Sequence, residues 1–134
     1  MEKKLIICDT DVLIDYFDAS KPRHQGTKHI IEEQILLDNI VISAITKMEL
    51  FLGVTNKIEL NQIDKLIGRF GLLLMNERIT NQSLELLKTY HLSHNLAIPD
   101  SIIASTALVT NFELFTYNIK DFRFIKNIRL FEFL

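Results

Sequence analysis

Short apolar runs recur along this chain, each too brief for a helix and each followed by residues whose apolar positions return every three or four places. Leu5 to Cys8, Ile40 to Ile42 and Leu72 to Met75 are such runs, and Glu113 to Thr116 and Arg129 to Phe133 are strand-like segments near the C-terminus. Consecutive apolar positions over so short a span predict strands covered on both faces, since a face open to water would impose alternation. The first run ends abruptly in Asp9 and Asp11, at the point where helical spacing begins.

A first helix is predicted over Val12 to Asp18, stopping before the polar loop Ser20-Lys21-Pro22-Arg23, which Pro22 and Gly26 punctuate. Residues 28 to 38 form a second, with Ile30, Ile31, Ile35 and Leu37 as a rough apolar face and Asp38-Asn39 as its end. The third covers Ile45 to Val54, with Ile45, Met48 and Leu52 as its core-facing stripe. At about 100° per residue, Glu49 falls roughly 40° from Ile45 at the margin of that stripe, and Lys47 points nearly the opposite way. Leu60, Ile63, Leu66, Ile67 and Phe70 mark a fourth helix, ending near Gly68 to Gly71. The fifth covers Thr80 to Leu92, with Leu84, Leu87 and Tyr90 facing inward. Pro99 biases Ile98 toward extended backbone, so a sixth helix starts at about Asp100. That helix carries no charge from Ser101 to Phe112 and is predicted to be central. Strand followed by helix, repeated, gives an α/β fold: a mostly parallel, roughly five-stranded sheet between helical layers.

Composition narrows this picture. A length of 134 residues is that of one domain, so residues 1–134 are read as a single unit. No segment has the 18 or more consecutive apolar residues of a membrane span. Met-Glu-Lys-Lys followed by four apolar residues and then Asp does not make a secretory signal, and the expected location is the cytoplasm. Cys8 is the only cysteine, which excludes an intrachain disulfide and a thiolate metal cluster. The formal net charge of −2 excludes attraction of nucleic acid by bulk electrostatics, so a polyanionic substrate must be held locally.

The candidate chemistry sits at the strand ends. In a parallel sheet of this order Asp9, Glu49, Asp100, Asn118 and Asp121 all belong to the carboxyl edge, where open α/β sheets bind ligands. Like charges gathered there need protons or a metal cation. Each acid also has a simpler reading: Asp9 or Asp11 and Asp100 as helix caps, Glu49 as a boundary residue with its carboxylate in water. His24 and His29, in or beside the polar loop, lack ligand spacing and read as solvated, and His91 and His94 read as a helix-end charge preference. Carboxylates without cysteine or paired histidine suit a hard cation, Mg²⁺ with Mn²⁺ as substitute.

Four segments together resemble the PIN-domain nucleases, most closely the VapC-type toxins of bacterial toxin-antitoxin pairs. They are Asp9-Thr10-Asp11-Val12-Leu13-Ile14, Thr46-Lys47-Met48-Glu49-Leu50-Phe51-Leu52-Gly53, Pro99-Asp100-Ser101-Ile102-Ile103-Ala104 and Thr116-Tyr117-Asn118-Ile119-Lys120-Asp121-Phe122. The resemblance implies a PIN-like three-layer fold, RNA phosphodiester hydrolysis, a homodimer and an inhibitory antitoxin. It makes Asp9, Glu49 and Asp100 the core acids, with Asn118 or Asp121 completing them. In this reading Asp9 and Asp100 are metal ligands, and Glu49 orients a water or acts as base. Asn118 with Asp121 closes the shell, and Thr10, Asp11, Ser43 and Thr116 support it. Lys120, Arg123, Lys126 and Arg129 recur every third residue and either meet phosphates or form a solvated face. Two alternatives stand beside it. Asp9-Thr10-Asp11-Val12-Leu13 also resembles the first motif of haloacid-dehalogenase-type phosphatases, and the chain could be a non-catalytic RNA- or protein-binding module.

Overall fold

The structure, a computed structural model, describes residues 4–133. Strand β1 (Ile6–Cys8) is buried throughout because its side chains alternate between two separate cores. Ile6 and Cys8 pack with Val12, Leu13, Ile31 and Leu50 on one side, while Ile7 packs with Leu86, Ile103, Ala104 and Phe122 on the other. Strands β2 (Ile40–Ser43), β3 (Gly71–Leu73) and β4 (Glu113–Phe115) complete a parallel sheet in the order β3-β2-β1-β4. The two central strands are thus β1 and β2. Their carboxyl ends deliver Asp9 and Ser43 to the same edge, and β4 delivers Thr116 beside Asp9.

Helix α1 (Thr10–Phe17) follows β1 directly, then α2 (His24–His29) and a π-helical turn over Ile30–Ile35. The polar loop is therefore shorter than its sequence implies, and Gly26 lies inside α2. Residues 28 to 38 are not one helix: the π turn ends at Leu36, whose φ is 80°, and a 3-10 turn over Leu37–Asn39 leads into β2. Helices α3 (Ala44–Leu52) and α4 (Lys57–Ile67) share the layer of α1. Helices α5 (Glu77–His94) and α6 (Ile98–Thr110) pack on each other across the sheet.

Four expectations change in this frame. The inward face of α3 is Ala44, Thr46 and Leu50, whereas Met48 is 48% and Leu52 85% exposed. Thr46 can be buried because its hydroxyl finds partners, which an apolar-stripe argument does not weigh. In α5 the buried positions are Ile79, Ser83 and Leu86, and Leu84 faces water. Helix α6 begins at Ile98 with Ala97 as N-cap, and Pro99 sits in its first turn, where a missing N–H costs nothing. A fifth strand over Arg129 to Phe133 is reduced to one parallel bridge between Leu114 and Leu130. Asn127 turns the chain in its left-handed conformation just before, leaving few residues to run beside β4. Among the described residues no helix is long and apolar enough to cross a membrane.

Candidate active site

Asp9 leaves β1 as the N-cap of α1, so the capping reading and the site reading describe the same side chain. Its Oδ1 accepts from the Thr10 N–H at 2.8 Å and its Oδ2 from the Thr116 hydroxyl at 2.8 Å. Burial, then repulsion from Asp11, lifts its carboxyl from 3.8 to about 7, against the pull of the Thr116 and Thr10 hydrogen bonds. Asp11, in the first turn of α1, has Oδ2 bonded by the Tyr117 N–H at 3.1 Å, while its Oδ1 is buried without a partner. Its carboxyl is also raised, first by burial, and the Tyr117 and Val12 N–H groups and the charge of Arg23 oppose the shift. The same burial and the same two aspartates push the Cys8 thiol far up, so Cys8 is inert packing.

Glu49 comes from α3. Thr10 Oγ1 donates to its Oε1 at 2.6 Å and lies 3.1 Å from Thr46 Oγ1, which Ser43 Oγ approaches at 3.3 Å. A chain of three hydroxyls thus ties the ends of β1 and β2 to Glu49. Lys47 turns away as the helix wheel requires, 3.9 Å from Asp64. Asp100 projects from the first turn of α6, half-buried and not as a cap. Burial and then the charges of Asp121, Glu49 and Asp11 raise it to about 6.

These mutual repulsions join Asp9, Asp11, Glu49, Asp100 and Asp121 into one electrostatic group. Asp121 lies in a 3-10 turn over Ile119–Asp121. Asn118 enters through its backbone N–H, which donates to Thr116 Oγ1 at 3.0 Å, and its side chain is exposed. Asp15 and Arg23 escaped the sequence reading. Asp15 is buried one turn after Asp11 and accepts from Arg23 Nε at 2.7 Å; the i, i+4 spacing of the two aspartates puts them on one face of α1 but gives no sign of Arg23. His24 is half-buried rather than solvated, its Nδ1 2.9 Å from the Asp15 carbonyl oxygen, and His29 is exposed. His91 Nδ1 lies 3.2 Å from the Leu96 carbonyl oxygen and His94 stacks on Phe124, and among the described residues neither belongs to a group of three potential metal ligands. The basic run divides: Arg129 bonds Glu113 and the Asn111 carbonyl at the amino end of β4, away from the acids.

Among the described residues no three His, Cys, Asp or Glu side chains converge into a ready-made metal cage. The donors still fit a hydrated hard cation. Such an ion needs only one or two protein carboxylates and keeps several waters, and the site offers oxygen donors, protonation-prone acids and the unpartnered Oδ1 of Asp11.

Residues 6–127 match the family model described as PIN domain. The chain belongs to the PIN domain family. PIN domains are generally nucleases that use divalent metal ions, which fits the acidic edge and sets aside the haloacid-dehalogenase-type reading of Asp9 and Asp11. This PIN domain is similar to a chain of a toxin-antitoxin complex from Klebsiella pneumoniae, 28% identical with a TM-score of 0.72 over 92% of this chain and 94% of that one. It is also similar to a chain of VapBC2 from Rickettsia felis, solved bound to a DNA fragment from their promoter. There the identity is 28% and the TM-score 0.71, over 94% of this chain and 96% of that one. FitAcB from Neisseria gonorrhoeae shares the fold at 23% identity and a TM-score of 0.73, over 96% and 97% of the respective chains. A comparison with curated proteins found no match.

Proposed function

We propose that this PIN domain, with residues 1–134 as one unit, is a Mg²⁺-dependent endoribonuclease and the toxin of a toxin-antitoxin pair, acting in the cytoplasm. One observation carries the reading: acids from distant parts of the chain repel one another at the carboxyl edge, Asp11 and Asp100 raising Asp9 while Asp121, Glu49 and Asp11 raise Asp100. Asp9 and Asp100 would hold the cation, with Mn²⁺ as a substitute, and Glu49 would orient the attacking water or take its proton. When bound, the cation supplies positive charge to the phosphodiester oxygens and acidifies a water at neutral pH. Thr116 and Thr10 hold the Asp9 and Glu49 carboxylates in place through the hydrogen bonds described above. Asp121 adds negative charge beside Asp100, while Asn118 supports Thr116 through its backbone.

Two features of the surface support the partners. Beside Glu49 lies an apolar cleft of about 160 Å³ lined by Ile14, Phe17, Leu50, Val54 and Ile63. An antitoxin segment could fill it and set an Arg or Lys against Asp9, Glu49 and Asp100, a reading supported by the similarity to a chain of a toxin-antitoxin complex. Exposed Met48, Leu52, Ile58 and Leu66 on α3 and α4 support a homodimer. The deciding experiment incubates the purified chain with RNA and Mg²⁺, then sequences the new RNA ends. Cleavage lost in Asp9→Asn and on chelation is expected, and cleavage by Asp9→Asn at the wild-type rate overturns the assignment.

A further inference from the structure

One cation beside the acids has no part in the chemistry described so far. Arg23 forms the turn into α2, where its Nε is committed to Asp15 and its Cζ stands 4.1 Å from the centroid of the Tyr117 ring. Each support is itself anchored. The Asp15 side chain is only 9% exposed, and the Tyr117 hydroxyl is 2.6 Å from Thr27 Oγ1, with its ring against Phe115 and Phe133. The guanidinium is therefore fixed in position and plane, while 55% of the side chain remains open to solvent. Its Nη1 and Nη2 have no partner among the described residues. The same Tyr117 donates its backbone N–H to Asp11, and the Arg23 charge is near enough to oppose the raising of that carboxyl.

We propose that Arg23 binds substrate, gripping a backbone phosphate of the RNA next to the phosphodiester held at the acids. The proposal rests on the ribonuclease reading above and names the residue that overcomes its main electrostatic difficulty. A chain of net charge −2, with carboxylates crowded at its site, repels a polyanion unless a cation stands close by. A planar fork matches two phosphate oxygens, and one whose rotamer is already held loses little entropy on binding. The competing view is that Arg23 only neutralises buried Asp15. That role needs the Nε contact alone and gives no reason for the outward-facing fork.

The test uses the full chain and a single-stranded RNA oligonucleotide that it cleaves, with initial rates measured across a salt series. Arg23→Gln should raise KM about tenfold with kcat nearly unchanged, and should flatten the salt dependence of log(kcat/KM) by about 0.7, the loss of one single-strand phosphate contact. Arg23→Lys keeps the charge and the pairing with Asp15 but loses the fork. It should keep the wild-type salt slope and raise KM about threefold. Should Arg23→Gln fail to fold, Arg23→Lys decides alone. A wild-type KM in Arg23→Lys, or a fall confined to kcat, overturns the phosphate grip while leaving the nuclease intact. If the wild type itself cleaves no RNA with any divalent cation, the ribonuclease reading fails and this proposal falls with it.

Discussion

The paired strands β1 and β4 have an acid at each edge, Glu113 at the amino end of β4 and Asp9 just past the carboxyl end of β1, and the two ends treat them differently. At the amino end, Glu113 meets Lys4 at 2.9 Å and Arg129 at 3.4 Å, with both cations largely exposed. At the carboxyl end, Asp9 and Asp100 face further carboxylates and are raised to about 7 and about 6. Glu113 is placed as a structural protein places an acid, with its charge neutralised on the spot. Asp9 is charged against burial and the repulsion of Asp11 and Asp100, which its hydroxyl and backbone donors offset only in part, an arrangement that costs stability without a cation. A site that tolerates this cost is one built for something absent from the chain itself.

The widest gap between the two ends should appear in activity. Asp100→Asn is expected to lower kcat for RNA cleavage by ~1,000-fold, a loss of several kcal/mol of charge stabilisation, and Glu113→Gln should leave cleavage unchanged. Equal rates for Asp100→Asn and wild type would erase the distinction between the ends.

The next contrast is in pH dependence. The folded carboxyl of Asp9 binds its proton more tightly than the unfolded one, so its contribution is fully favourable below pH 3.8 and is lost as pH rises through about 7. Metal-free protein should therefore lose ~4 kcal/mol of stability from this group between those limits. Denaturant melts at stepped pH would measure it, and added Mg²⁺ should restore stability at neutral pH. Stability that rises over that range in Asp9-intact protein, and not in Asp9→Asn, contradicts the argument.

A smaller effect sharpens how Asp9 is held. Thr116→Val removes the hydroxyl that donates to Asp9 Oδ2 at 2.8 Å, so the carboxyl should rise further and metal affinity should fall by ~10-fold. The acid limb of the pH–rate profile should move to higher pH. A profile that stays in place would show that Thr116 does not orient Asp9.

The smallest effect belongs to the amino end. Glu113→Gln should cost at most ~1 kcal/mol, because its partners are solvent-exposed and gain little from pairing. Thermal melts at low and high salt should show that cost fading as salt rises.

The acids were legible because strand and helix periods meet at them. Asp9 ends a buried apolar run, and Asp100 opens a helix free of charge, so both could be assigned to one sheet edge without coordinates. Glu49 was legible as a residue near the core boundary of its helix, though for a partly wrong reason. The stripe of Ile45, Met48 and Leu52 ignored that Thr46 could be buried by bonding Thr10 and Ser43. Arg23, by contrast, lies in what reads as a polar loop, and nothing in its spacing marks it as held by Asp15 beside the acids.

What the amino-acid sequence determined by itself is the alternation of short strands with helices, and with it the edge to which the acids belong. Those features are local, arising from side-chain period over a few residues and from the residue types where the period changes. Only the tertiary structure decided which acids feel one another, that Thr10 reaches Glu49 across 39 positions and that Thr116 reaches Asp9 across 107. It also decided that Arg23 is held between Asp15 and Tyr117 with its fork free. Hydrogen bonds and repulsions depend on distance in space, and no periodicity along a chain encodes the separation of residues that folding alone brings together.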